Sequence, residues 1–231
     1  YGLVGSEMCI RDSPLVGVVT GILEVILGNA LLAYTSCGTL FFAGVMTLLP
    51  VLVNGGIHMD GFLDTMDALN SYGSREKKLE ILKDSRTGAF AVIGFGLYLV
   101  ASLALWSEAE PEMLPVIGAG YVMSRSLSGL SVMVFPSAKK DGLGRTFQEQ
   151  AHRKRVAVVM VCWFFAALAV MLMTSVQMGA AALCTALLVF WYYHHMAMKQ
   201  FGGMTGDLAG YFLQLAELLI LAAVIVAGGA L

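Results

Sequence analysis

The sequence predicts an all-α, polytopic integral membrane bundle of about seven transmembrane helices, and three observations carry that expectation. Of 231 residues, 58% are hydrophobic and only 13% are charged, where soluble domains hold about 45–50% and about 25%. Mean hydropathy is +0.78, and apolar runs recur at lengths suited to about 30 Å of hydrocarbon. Basic residues, finally, fall in alternate connections between those runs.

In chain order, residues 1–13 lack an initiating Met and any period, and read as foreign or non-native sequence. Residues 14–231 then form one membrane domain, with no linker or repeat to divide it. The expected spans are 15–33, 39–56, 88–106, 113–134, 156–174, 179–196 and 208–228. Their number falls to six if one weak span is re-entrant. Pro50 is expected to kink the second span, because a proline removes a helical hydrogen bond. The four cysteines lie far apart with no C-x-x-C pair, which argues against a zinc site or a disulfide framework. The 26 glycines suit helices that approach closely in lipid.

Orientation comes from the connections. Arg75, Lys77, Lys78, Lys83 and Arg86 follow the second span, and Lys139, Lys140, Arg145, Arg153, Lys154 and Arg155 follow the fourth. Lys199 precedes the seventh, while 34–38, 107–112 and 175–178 contain no Lys or Arg. The positive-inside rule places the long basic connections in the cytoplasm, so the polar chemistry gathers on one membrane face.

That face carries an acidic stripe. Asp60, Asp64 and Asp67 recur at i, i+4 and i+7, within roughly 60° of one another on a helix. Like charges so spaced repel. A solvated helix start would tolerate them, but the apolar run before them and the basic residues after favour a hard divalent cation, for which Mg2+ on substrate phosphates is the usual case. Asp84 lies where the chain re-enters the bilayer and can complete such a site, or cap the third span; Arg86 suits a bidentate phosphate contact. The segment between, 71–83, reads as a short amphipathic helix with a solvated or membrane-surface face and no chemistry.

Other polar residues stand inside apolar runs. A charge as deep as Arg125 costs several kcal/mol (~2.5–3.5 on insertion scales) and should face the interior with a partner, as a functional group or as a purely structural ion pair. Glu24 has no polar neighbour in sequence and reads as a packing or lipid-edge feature. Asp207, Tyr211, Gln214 and Glu217 line one side of the last span, where polar residues are functional by default. The glycines of Gly202-Gly203-Met204-Thr205-Gly206-Asp207 permit close approach to a phosphate or a helix, and Lys139-Lys140-Asp141-Gly142-Leu143-Gly144-Arg145 allows N–H groups to converge on an anion. His58 points about 160° away from Asp60, and His194 and His195 read as interfacial. A carboxylate cluster ringed by Arg and Lys at a membrane face suits metal-assisted transfer of a phosphoryl-type group. No Ser-His-Asp, Cys-His or Walker A pattern competes.

Four stretches carry a resemblance: Gly55-Gly56-Ile57-His58-Met59-Asp60-Gly61-Phe62-Leu63-Asp64-Thr65-Met66-Asp67, Leu82-Lys83-Asp84-Ser85-Arg86-Thr87-Gly88-Ala89-Phe90, Asp141-Gly142-Leu143-Gly144, and Gly202 through Asp207. In this order they resemble the cobalamin synthase family, membrane enzymes also called adenosylcobinamide-GDP ribazoletransferases, over 14–231. The resemblance implies that adenosylcobinamide-GDP and α-ribazole (or its 5′-phosphate) are joined with release of GMP, and that Mg2+ is required. It implies a multi-pass plasma-membrane protein with a cytoplasmic active site. Its partners would be the two substrates, the bilayer and other enzymes of the pathway, with no nucleic acid. By motif position, Asp60, Asp64, Asp67 and Asp84 would bind Mg2+ or supply the base, with Arg86 also catalytic. Lys83, Arg125, Lys140, Gly203, Thr205 and Asp207 would bind substrate.

The chain departs from the family pattern at 1–13, at Lys139-Lys140 and at Leu208-Ala209. A CDP-alcohol phosphotransferase has similar carboxylate logic, but its Ala-Arg is replaced here by Asp64-Thr65. A cation transporter would place its acids near midplane in paired halves, and no such pairing is visible.

Overall fold

The computed structural model describes residues 4–84, 86–138 and 153–229, which are helical with no strand among them. Only an isolated bridge, Ser137 to Met204, is strand-like among these residues. Helix α1 (Val4–Tyr34) starts inside 1–13 rather than after it and carries Pro14 within it. Then come α2 (Thr39–Val53) and α3 (Ile57–Asn70). The expected kink at Pro50 is not where the chain turns. Helix α2 continues through Pro50, and the 94° bend between α2 and α3 falls at the glycine pair beyond it. Gly55 and Gly56 hold φ of +61° and +76°, a left-handed backbone that costs a residue with a Cβ roughly 1–2 kcal/mol.

Short helix α4 (Arg75–Ile81) follows, its first turn capped by the Ser74 hydroxyl, which accepts from Lys77 N–H. Arg75, Glu76, Lys77 and Glu80 are exposed, as a solvated face requires, and Lys78 alone among its charges turns inward. Lys78 is buried and donates to Gln200 Oε1 at 2.6 Å, and Arg75 reaches the carbonyl of Met198 at 3.4 Å. Helices α5 (Ala89–Ser107), α6 (Leu114–Val134), α7 (Arg153–Thr174), α8 (Val176–Met196) and α9 (Gly206–Gly228) complete the bundle. A π-turn, Ala197–Phe201, extends α8.

Five of the described helices are long and apolar enough to cross a membrane, or six if the bent pair α2–α3 makes one span. The stretch expected as a fourth span is α6, which at 21 residues is long enough at about 1.5 Å per residue but less apolar. Its Arg125, Ser124, Ser126, Ser128 and Ser131 dilute the hydropathy, and all five are buried. The bundle turns them inward, away from lipid, as the absence of water in hydrocarbon demands.

Helix α6 is the centre of one half, packed on α1, α7 and α9; α9 is the centre of the other, packed on α3, α8 and α6. Aromatic rings tie these halves where the polar loops emerge. Tyr193 stacks on Phe212 with centroids 5.0 Å apart, and Phe135 meets Tyr193 at 5.4 Å.

Candidate active site

The acidic stripe lies on α3 where that helix crosses the start of α9, and the crossing depends on glycine. A Cβ on Gly61 would stand 2.8 Å from the Asp207 carbonyl, and one on Gly210 would stand 3.0 Å from that of His58. With neither present the two backbones touch. Phe62 then stacks on Tyr211, centroids 5.4 Å apart and planes 10° apart, and meets Tyr98 of α5 at 5.6 Å. These contacts fix which side of α3 faces α9 and bring Asp207 beside the stripe.

Asp60 is exposed, and Asp64 and Asp67 are half-buried. The carboxylates of Asp60, Asp207 and Asp67 all stand close enough to Asp64 to repel it. Asp60 and Asp64 accept no hydrogen bond or ion pair from the other described residues, whereas Asp207 is met by the Thr205 hydroxyl at 3.4 Å. Asp60 and Asp64, oxygen donors that repel each other with no cation from the described residues beside them, suit a hard divalent ion such as Mg2+. The fit is one of donor chemistry alone, because among the described residues no three carboxylate, imidazole or thiolate groups stand at a shared coordination distance.

Asp67 has a different attachment. One of its oxygens accepts the Gly88 N–H at 2.6 Å and the other the Ala91 N–H at 2.9 Å. Two of the unpaired donors at the start of α5 are thus satisfied from α3. The sequence offered Asp84 to a metal site or, as the alternative, to this cap, and Asp84 is engaged with Arg86 instead. It takes both the Nε and a terminal nitrogen of Arg86, at 3.0 and 2.6 Å, together with the Arg86 N–H at 3.1 Å. Those hydrogen bonds from Arg86 hold its carboxyl down at about 2, against an ordinary 3.8. Arg86 and Lys83 are exposed beside it.

The remaining expected residues divide. Thr205 is buried and caps α9, its hydroxyl accepting the Leu208 N–H at 3.2 Å. Gly203 lies against the 136–138 strand-like segment, where a Cβ would come within 2.5 Å of the Pro136 carbonyl oxygen. Both shape the loop that delivers Asp207. Arg125 is wholly buried, its guanidinium 2.6 Å from Glu217 Oε1 and 3.1 Å from Asn54 Oδ1, so it meets protein rather than an open surface. Lys140 and the Asp141–Gly144 motif lie outside the described residues. Glu24 is not a lipid-edge residue, for it is fully buried and accepts the Tyr121 hydroxyl at 3.2 Å. His58 backs onto Gly210, away from the stripe. Sequence reasoning missed Asn54, although an Asn before two glycines was a visible signal of a capped turn.

The chain is 42% identical to an adenosylcobinamide-GDP ribazoletransferase of Lachnoclostridium phytofermentans, across 94% of this chain and 82% of the relative. It is 32% identical to one of Clostridium botulinum (strain Eklund 17B), across 93% and 85%, and 29% identical to one of Escherichia coli O157:H7, across 92% and 85%. No solved structure matches. The model of the family described as cobalamin-5-phosphate synthase matches residues 6–225, a range that contains Asp60, Asp64, Asp67, Asp84 and Asp207, and so the chain belongs to the cobalamin-5-phosphate synthase family.

Proposed function

We propose that this chain is an adenosylcobinamide-GDP ribazoletransferase of cobalamin synthesis, joining adenosylcobinamide-GDP to α-ribazole or its 5′-phosphate and releasing GMP. The names of its relatives support the substrates. The observation that carries the chemistry is the glycine crossing of α3 and α9, which gathers Asp60, Asp64 and Asp207 on one face. Basic connections on that side of the bundle, from Arg75 to Arg86, support a cytoplasmic site in the plasma membrane.

A hydroxyl oxygen of the ribazole attacks the cobinamide-linked phosphorus. The new O–P bond forms as the bond to the bridging oxygen breaks, and that oxygen leaves on GMP. The hydroxyl proton passes to a carboxylate of the α3 face. Asp84 is poorly suited to take it, because a group held at about 2 is a weak base at neutral pH; it remains an anion that orients Arg86. Asp60, Asp64 and Asp207 would hold Mg2+, which when bound neutralises the diphosphate. Asp67 acts from behind by fixing the start of α5. Arg86 and Lys83 meet the phosphate oxygens at the rim, with the planar fork of Arg86 matching two of them.

The test is purified protein in detergent with Mg2+, adenosylcobinamide-GDP and α-ribazole. GMP should appear with the joined product. Turnover only with a CDP-alcohol would contradict the assignment, as would full turnover by Asp60→Ala or Asp64→Ala.

A further inference from the structure

We propose that Arg125, through Asn54 and Glu217, is a positioning residue that sets the spacing of the two carboxylate-bearing helices from below the site. This rests on the functional reading of that site. The corner between α2 and α3 consists of Asn54, Gly55 and Gly56. Both glycines are left-handed, and nothing lies within 4 Å of where their Cβ atoms would be. A glycine pair in open space has little stiffness of its own, so what holds Asn54 ties the root of α3 in addition to the backbone contacts of Gly61 and Gly210 with α9.

Two ties hold it. The Asn54 side-chain amide donates to the Pro50 carbonyl at 2.6 Å, which is local to α2. Its oxygen accepts from one terminal nitrogen of Arg125 at 3.1 Å, which reaches across the bundle to α6. The other terminal nitrogen of Arg125 donates to Glu217 at 2.6 Å and to the Tyr121 carbonyl at 3.2 Å. One planar cation therefore grips the root of α3 with one nitrogen and α9 with the other. Glu217 stands ten residues beyond Asp207 on α9, roughly 15 Å of helical rise, and Asp60 stands in the first turn of α3, six residues beyond Asn54. The fork thus fixes the base of a wedge whose tips carry Asp60 and Asp207.

Glu217 alone would satisfy the buried charge. The second arm of the fork is used on a corner amide, which makes the geometry more than a neutralising pair. A lysine could not replace it, since one ammonium on a flexible stem lacks the two-pronged donor set.

The experiment places spin labels on cysteines at Tyr72 and Gly206, both exposed, in a chain whose four native cysteines are alanine. Electron–electron resonance then reads the α3–α9 distance without any substrate. Asn54→Ala and Arg125→Lys are each expected to broaden the distance distribution and lower kcat for GMP release at least tenfold. Asn54→Asp keeps an acceptor for Arg125 and is expected to hold the narrow distribution and stay within about threefold of the parent kcat. An unchanged distribution in Asn54→Ala, or an Asn54→Asp as damaged as Asn54→Ala, overturns the positioning role. Absence of GMP release from the parent chain sinks the functional reading instead, and the distance measurement still decides the wedge.

Discussion

At the scale of single residues, the carboxylates that look alike in sequence take different tasks from what they touch. Asp67 gives both oxygens to N–H groups at the head of α5, so Asp67→Ala should lose a cap, about 1 kcal/mol (0.5–2). Thermal unfolding in detergent measures this, and an unshifted midpoint would contradict it. Asp84 shows how a pKa assigns a role. Its folded value, about 2, lies below the ordinary 3.8. Its pairing with Arg86 is therefore complete above about pH 4 and is lost only as pH falls toward 2. Between pH 5 and 8 it does not titrate, so Asp84→Asn should lower GMP release while leaving the shape of the pH profile intact. Loss of the acid limb in that variant would show that Asp84 is a titrating base after all. The partner of Asp84 lies two residues away, but the other partners were not legible locally. Asp67 meets Gly88 across 21 residues of sequence, Glu24 meets Tyr121 across 97, and Arg125 meets Glu217 across 92. A periodic pattern shows which face a residue occupies but not what lies opposite.

At the scale of elements, hydropathy was sufficient for α5, α7, α8 and α9, whose expected bounds lie within a few residues of those found. It failed in an instructive way for α2 and α3. Proline was the visible breaker, yet a proline helix can continue when neighbours accommodate the lost bond, whereas two left-handed glycines cannot be helical at all. The same chemistry makes the α3–α9 crossing vulnerable. Gly61→Val should push α3 off the Asp207 carbonyl, 2.8 Å from the would-be Cβ, and reduce GMP release more than tenfold. Gly44→Ala in α2, where nothing lies within 4 Å, should leave turnover intact and raise stability by about 0.5–1 kcal/mol. Equal tolerance of both changes would show that close backbone contact does not set the site.

At the scale of the whole molecule, the one long described helix that falls short of a span's apolarity is also the most enclosed. Helix α6 hides a buried arginine and four buried serines behind neighbours that present Leu, Val, Ile and Phe outward, among them Val92, Val158, Phe165 and Leu188. The inside-out logic of a membrane bundle explains why composition alone identified its class. It also divides the polar ends: Lys83 stands with the carboxylates, while Glu108, Glu110 and Glu112 stand at the far end of α5. Cysteines placed at Lys83 and at Glu110 should therefore react with an impermeant thiol reagent from opposite sides of the membrane, the first only after the cytoplasmic side is opened. Labelling of both from one side would invert or abolish the proposed orientation.

The account turns on Asp60, Asp64 and Asp207 sharing a cation that Asp67 does not need. Titrating Mn2+ into the purified protein and following its free resonance signal tests this without substrate. Asp60→Asn, Asp64→Asn and Asp207→Asn should each weaken binding at least tenfold, while Asp67→Asn should stay near the parent. Full binding by the first three variants, or its loss only in Asp67→Asn, would contradict the site described.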